Sequence, residues 1–181
     1  RPELLLVAMS ATLATDALAA FLGAPVIEGG GRLFPVAVDF INIPDERPLA
    51  ARVASGVRRA LDETGSGDVL VFLPGAGEIT RARDACAGVA QEKGASVWTL
   101  HGEMSAEEQD AAVAASSARK IILSTNVAES SVTIPGVRAV VDSGLARTVT
   151  MSPWTGFNEL RTGPISQASA IQRAGRAGRT Q

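Results

Sequence analysis

The sequence is poor in the residues that form disulfides and zinc sites. Its 181 residues include one cysteine, Cys86, and one histidine, His101. A single cysteine excludes an intramolecular disulfide, and one cysteine with one histidine supplies too few zinc ligands, so we expect no metal site. Cys86 lies among alanine and valine residues in a helical pattern, which favours buried packing over catalysis.

Long apolar runs are also lacking. The longest near the N-terminus is Leu4 to Met9, far short of the ~20 residues of a membrane span and without the layout of a signal peptide. We therefore expect a cytoplasmic protein without a membrane partner. The remaining composition, with 46% hydrophobic and 20% charged residues and a net charge of -2, is typical of a globular domain.

Neither common glycine-rich nucleotide motif is complete. Gly75-Ala76-Gly77 follows an apolar run as a dinucleotide fingerprint would, but Thr80 stands where a third glycine is needed. A phosphate-binding loop needs a lysine directly after glycine, and neither Lys93 nor Lys120 meets that requirement. The sequence thus contains no phosphate-binding loop for ATP.

Short apolar segments alternate with amphipathic helical segments along most of the chain. Strands are predicted at Glu3 to Met9, Val36 to Ile43, Val69 to Leu73, Ser96 to Leu100, Lys120 to Leu123 and Ala139 to Val141. Four helices are predicted in this part of the chain. The first ends at Gly23, the second runs from Pro48 to Asp62, the third ends at Gly94, and the fourth begins at a capping box of Ser105 and Glu108. This alternation predicts an α/β fold with a parallel sheet and helices on both faces.

The stretch before the last helix breaks the alternation. Arg147 to Met151 and Phe157 to Leu160 flank a turn at residues 152–156 that is rich in helix and strand breakers. This pattern predicts a β-hairpin inserted before the final helix. Trp154 at its turn is interpreted either as a packing anchor or as a base-stacking wedge.

Polar residues follow the predicted strands, at the edge of a parallel sheet where ligands bind. They are Ser10 to Thr12, Gly75 to Glu78, His101 to Glu103 and Ser124 to Asn126. In the last helix Gln172 and Arg176 share one face, Arg179 lies a turn further on, and Arg173 points elsewhere. By itself such an arginine cluster is most simply a solvated basic helix end. A functional role for it is favoured only together with the polar residues that follow the predicted strands.

The glycines within this cluster have a separate consequence. Gly175 and Gly178 remove side-chain bulk beside the arginines. We expect them to let another surface approach closely.

These residues resemble the motifs of DEAH-box superfamily 2 helicases. Ser10-Ala11-Thr12 matches motif III, Ser124 to Ile134 matches motif V, and Gln172 to Arg179 matches motif VI, in the family's order. The hairpin lies between motifs V and VI, as in the family, and Leu73 to Ile79 more particularly resembles a bacterial branch of it. The chain therefore resembles the second RecA-like domain of such a helicase. The Walker A motif and DEAH box of the first domain do not occur in it.

The resemblance implies a RecA-like α/β fold and a division of the chain. Residues 1–13 would end the first RecA-like domain, and residues 14–181 would form the second, with a hairpin at about 147–160. The function implied is that of one motor domain in an ATP-dependent nucleic-acid helicase, with RNA favoured over DNA. ATP with Mg²⁺ would be held mainly by the first RecA-like domain, and the partners would be that domain and single-stranded RNA or DNA. Alone, the chain is predicted to be inactive.

The resemblance also implies roles for single residues. Arg176 and Arg179 would be arginine fingers toward the γ-phosphate, with Gln172 helping to hold that phosphate or the attacking water. Ser131 and Thr133 would lie near the nucleotide. Nucleic-acid contacts are expected from Thr125, Asn126, Gly75, His101, Gly102 and Trp154, and interdomain coupling from Ser10, Thr12 and Arg173.

Two departures from the family pattern concern the nucleotide. Pro135 stands where an acidic residue often holds the ribose, and Val113 where some members stack an aromatic ring on the base. We therefore expect loose base selectivity. Two other functions remain open: a RecA-like module that binds RNA or protein without ATP turnover, and a small-molecule α/β enzyme, for which His101 lacks a partner carboxylate.

Overall fold

The computed structural model describes residues 4, 6–9, 15–27, 34–41, 45–130 and 132–178, in two compact units of residues 1–32 and 33–181. In the first unit, helix α1 (Thr15–Leu22) ends at Gly23, whose φ is +60°, as predicted. The strand predicted for Glu3 to Met9 is wrong at the described positions, which lie in no sheet and are exposed. A strand needs a neighbour to accept its backbone hydrogen bonds, and an apolar run alone does not supply one.

The second unit contains the elements predicted after Pro48, together with a short helix at Val127–Ser130 that the sequence did not predict. They are α2 (Leu49–Thr64), β1 (Asp68–Phe72), α3 (Ala76–Lys93), β2 (Ser96–Leu100), α4 (Ala106–Val113), β3 (Lys120–Ser124), α5 (Val127–Ser130), β4 (Val137–Asp142), β5 (Leu145–Met151), β6 (Asn158–Pro164) and α6 (Gln167–Ala174). Strands β1 to β4 form one parallel sheet in the order β2-β3-β1-β4. The predicted parallel α/β fold is confirmed.

Helices cover both faces of this sheet, because the central strand β1 is apolar on both sides. Val69 and Val71 of β1 pack with α2 and α3, whereas Leu70 and Phe72 pack on the opposite face with residues of α4 and α5. Helix α2 presents its predicted stripe, in which Val53, Val57 and Leu61 are all buried. Burial of these side chains from water is the main stabilising term for such a fold.

The ends of α4 are fixed by polar side chains. Ser105 and Glu108 form the predicted capping box at its start. At its end, the buried Lys120 donates hydrogen bonds to three backbone carbonyl groups, and its ammonium group lies 4.6 Å from the centre of the Trp98 ring. Lys120 is therefore a structural residue.

Among the described residues, no helix is long and apolar enough to span a membrane.

The hairpin prediction is also confirmed. Strands β5 and β6 pair in antiparallel fashion, from Leu145 opposite Pro164 to Met151 opposite Asn158. The strand predicted at Val36 to Ile43 is wrong over the described residues 36–41, which belong to no sheet. Positions 42 and 43 lie outside the described residues.

Candidate nucleotide and nucleic-acid interface

The carboxyl ends of the parallel strands bring three predicted site residues to one edge of the sheet. The amide of Thr125 donates to the carbonyl of Leu100 at 3.2 Å, and the amide of Leu73 donates to that of Ser124 at 2.8 Å. These bonds continue the strand pairing beyond β1 and β3. His101, Thr125 and Gly75 consequently follow neighbouring strands in the order β2, β3 and β1.

Access to this edge differs from residue to residue. Gly102 and Asn126 are exposed, and His101 and Thr125 are half-buried. The Nδ1 atom of His101 is buried and has no hydrogen-bond partner within the described part of the chain. The edge therefore offers hydroxyl, amide and imidazole groups for polar contacts.

Gly75 is buried, because the hairpin reaches over it. A β-carbon at Gly75 would lie 2.8 Å from the guanidinium carbon of Arg147, which belongs to β5. An Nη2 atom of Arg147 also lies 3.6 Å from a carboxylate oxygen of Glu78, at the start of α3. Arg147 is therefore part of this edge, and sequence reasoning missed it because the contact joins two distant segments.

Motifs V and VI meet through Arg176, which is 5% exposed. Its Nη1 donates to the carbonyl of Val132 at 2.7 Å, and its Nε donates to the carbonyl of Glu129 at 3.1 Å, with a further bond from Nη2 to the same carbonyl. Thr133, which follows Val132, is exposed. Arg176 thus bonds to the residue directly before Thr133, which is a predicted nucleotide contact. Helix α6 ends at Ala174 with Gly175 as its C-cap, so Arg176 lies in the turn that follows, and the prediction that it shares a helical face with Gln172 is wrong. Gln172 is half-buried within α6.

Four predicted site residues, Ser10, Thr12, Ser131 and Arg179, lie outside the described residues. Their roles stay predictions.

Arg173 is directed into the domain. Its side chain is 1% exposed and forms ion pairs of 2.9 Å with Glu129 and 3.0 Å with Asp142. The guanidinium group also donates to the carbonyl of Leu145 at 3.3 Å and lies 4.7 Å from the centre of the Phe72 ring. All these contacts are within one domain, and the predicted role of Arg173 in interdomain coupling stays a prediction. Glu129 could have been noticed from its place inside motif V; Asp142 carries no such signal.

The hairpin exposes apolar side chains. Trp154 at its turn is 92% exposed, and Val149 and Leu160, which face each other across the two strands, are exposed as well. Met151 lies on the same face as this pair, because alternate residues of a strand share a face. The face is available for contacts outside this chain.

A parallel RecA-like sheet with these motifs at its carboxyl edge defines a helicase motor domain. The model of the helicase conserved C-terminal domain matches residues 53–181, and the chain belongs to this family.

Similar proteins are DEAH-type helicases. The ATP-dependent RNA helicase HrpB of Escherichia coli K12 is 41% identical across 100% of this chain and 22% of its own length. The probable ATP-dependent RNA helicase DHX34 of Mus musculus is 40% identical over 99% of this chain and 17% of its own. A crystal structure of the E. coli DEAH/RHA helicase HrpB matches 94% of this chain and 22% of that chain, with a TM-score of 0.81 and 40% identity. The predicted resemblance to DEAH-box helicases, and to bacterial HrpB in particular, is confirmed. The chain spans about a fifth of the length of these relatives.

Proposed function

We propose that this chain is the second motor domain of an ATP-dependent helicase acting on nucleic acid, in the first instance RNA. The observation that carries the proposal is the hydrogen bonding of Arg176 to the carbonyl groups of Glu129 and Val132, which joins motif VI to motif V. The relatives HrpB and DHX34 are both named as RNA helicases, which supports RNA as the substrate. In this proposal residues 1–13 end the first RecA-like domain and residues 14–181 form the second.

The residues at this junction fit the outer side of a nucleoside triphosphate. The carbonyl groups of Glu129 and Val132 accept hydrogen bonds from Arg176, and these bonds orient its guanidinium group. A positioned cation stabilises the charge that spreads over the γ-phosphate oxygens in the transition state. Arg176 and Arg179 would face that phosphate, with Gln172 beside it and Ser131 and Thr133 near the nucleotide.

ATP with Mg²⁺ would be bound mainly by the first RecA-like domain. Hydrolysis of ATP would supply the free energy for movement along the strand. The present chain would contribute the arginines and the nucleic-acid edge.

The sheet edge would contact the nucleic-acid backbone. Thr125 offers a hydroxyl group and the exposed Asn126 and Gly102 offer amide groups, which suit phosphate and sugar oxygens and carry no sequence information. His101 lies beside them. Gly75 is covered by Arg147, so the guanidinium group of Arg147 is placed to meet a phosphate at that position before the glycine does.

The test is the ATPase activity of the complete protein with single-stranded RNA, single-stranded DNA and duplex. We expect stimulation that is strongest with RNA and that weakens steeply with salt, because phosphate contacts release counterions. Thr125→Val should lower the stimulated rate more than the basal rate. The isolated chain should show no hydrolysis. Binding of nucleic acid without stimulated hydrolysis in the complete protein would instead indicate a binding module.

A further inference from the structure

Arg173 is the centre of a buried charged network that links three elements. Arg173 lies on α6. Of its two carboxylate partners, Glu129 lies on α5 and Asp142 lies at the end of β4. Its third acceptor is the carbonyl of Leu145, the first residue of hairpin strand β5. One side chain therefore touches motif V and the base of the hairpin from within motif VI.

The network holds its members in a fixed arrangement. Arg173 is 1% exposed, whereas the Glu129 and Asp142 side chains are 17% and 23% exposed. A charge taken out of water needs ionic partners with good geometry. Nε of Arg173 donates a hydrogen bond to Glu129 and Nη1 donates one to Asp142. Because the guanidinium group is planar, it fixes the two carboxylates relative to each other.

The same two acidic residues extend the network in opposite directions. The backbone carbonyl of Glu129 accepts hydrogen bonds from Arg176, the proposed finger. A carboxylate oxygen of Asp142 accepts from the amide of Gly144 at 2.9 Å, in the turn that leads into β5. That turn requires a left-handed backbone, since Gly144 has a φ of +70°.

We propose that Arg173 is a positioning residue through which the hairpin and Arg176 are coupled. A shift of the hairpin base moves Asp142, and Arg173 passes this shift to Glu129, whose carbonyl orients Arg176. Nucleic acid acting on the hairpin would thereby change the rate of hydrolysis at the distant nucleotide. The inference rests on the proposed function, because it assigns a regulation to the same nucleotide site.

The test compares Asp142→Asn, Glu129→Gln and the double variant in the complete protein. Asp84→Asn, on the exposed face of α3, is the matched control. With saturating single-stranded RNA, Asp142→Asn should lower kcat about tenfold, within the range of measured long-range couplings, and change the KM for ATP by no more than about twofold. The kcat of the double variant should be no lower than that of the more strongly impaired single variant, because both changes act through Arg173. The control should match the unmodified protein.

A second measurement follows the linkage without hydrolysis. In hydrogen exchange, Asp142→Asn should raise the exchange of amides in α5 as well as at the hairpin base, whereas Asp84→Asn should change neither. Three results would overturn the coupling. They are a fall in kcat of the double variant equal to the product of the two single falls, an unchanged kcat per folded molecule of Asp142→Asn, and faster exchange in Asp142→Asn at the hairpin base alone. Absence of stimulated hydrolysis in the unmodified protein would count against the proposed function, and the exchange measurement would still decide the linkage.

Discussion

The backbone amide of Phe34 donates a 3.1 Å hydrogen bond to the carbonyl oxygen of Gly178. A β-carbon at Gly178 would lie 2.8 Å from the Phe34 carbonyl oxygen and 2.9 Å from a methyl carbon of Val36. The glycine of motif VI therefore lets another surface approach closely, as we expected. In this structure that surface is the segment of residues 34–36 in the same unit.

Gly178→Ala should consequently destabilise the chain. The added methyl group meets backbone atoms, which cannot move aside as a flexible side chain can, so we expect a loss of about 1 to 3 kcal/mol in the free energy of unfolding. Urea denaturation measures this loss. Gly88→Ala is the matched control: this glycine lies within α3 with nothing within 4 Å of its added β-carbon, and its substitution should stabilise by about 0.5 to 1 kcal/mol. Equal stability of the two variants would contradict the close contact at Gly178.

Cys86 makes the stability depend on pH. Burial raises the pKa of the Cys86 thiol from its usual value of 9.0 to about 11. As pH rises above about 9, the unfolded chain loses the thiol proton before the folded chain does. The contribution to stability is therefore complete below pH 9 and declines up to about pH 11, by at most about 1.4 kcal/mol per pH unit.

The measurement for Cys86 is the difference in unfolding free energy between the unmodified chain and Cys86→Ala. This difference should be smaller at pH 10 than at pH 8, because alanine does not titrate. The native thiol should also react slowly with a thiol reagent at pH 8 and rapidly once the chain is unfolded. A difference that is the same at both pH values would mean that the thiol is not buried as described.

Elements that depend on neighbouring residues in the sequence were predicted well. Features that depend on a distant segment of the chain were not. The apolar run Val69 to Leu73 and the Ser105 capping box are read from neighbouring residues, and both are present. The strands predicted within residues 3–9 and 36–43 are wrong at the described positions, because an apolar pattern does not show whether another strand lies beside it.

For the site, the sequence predicted which strand ends and which helix would carry polar residues. It could not predict which side chains would close onto each other. Arg173 and Arg176 have different partners, but α6 ends at Ala174, so helical spacing does not describe Arg176. The carboxylates that pair with Arg173 come from other elements. The cover that Arg147 places over Gly75 is a contact of the same kind.

Trp154 distinguishes two roles for the hairpin. Because its side chain is 92% exposed, Trp154→Ala should change the stability of this chain by less than about 0.5 kcal/mol. If Trp154 stacks on bases, the same substitution in the complete protein should reduce duplex unwinding more than ATP hydrolysis. Unwinding assays with hydrolysis measured in parallel decide this. Unchanged unwinding would indicate that the hairpin packs against another domain.

Substitution of Arg176 tests most sharply whether this chain supplies a cation to the transition state of phosphoryl transfer. The measurement is kcat together with ATP affinity for Arg176→Ala and Arg176→Lys in the complete protein, with rates normalised to the folded fraction. Arg83→Ala, an exposed arginine of α3, is the control. We predict a fall in kcat of about 10³-fold for the alanine variant with only a modest change in affinity, and little rescue by lysine, which lacks the planar fork. Nearly full hydrolysis per folded molecule in both variants would show that Arg176 is not an arginine finger.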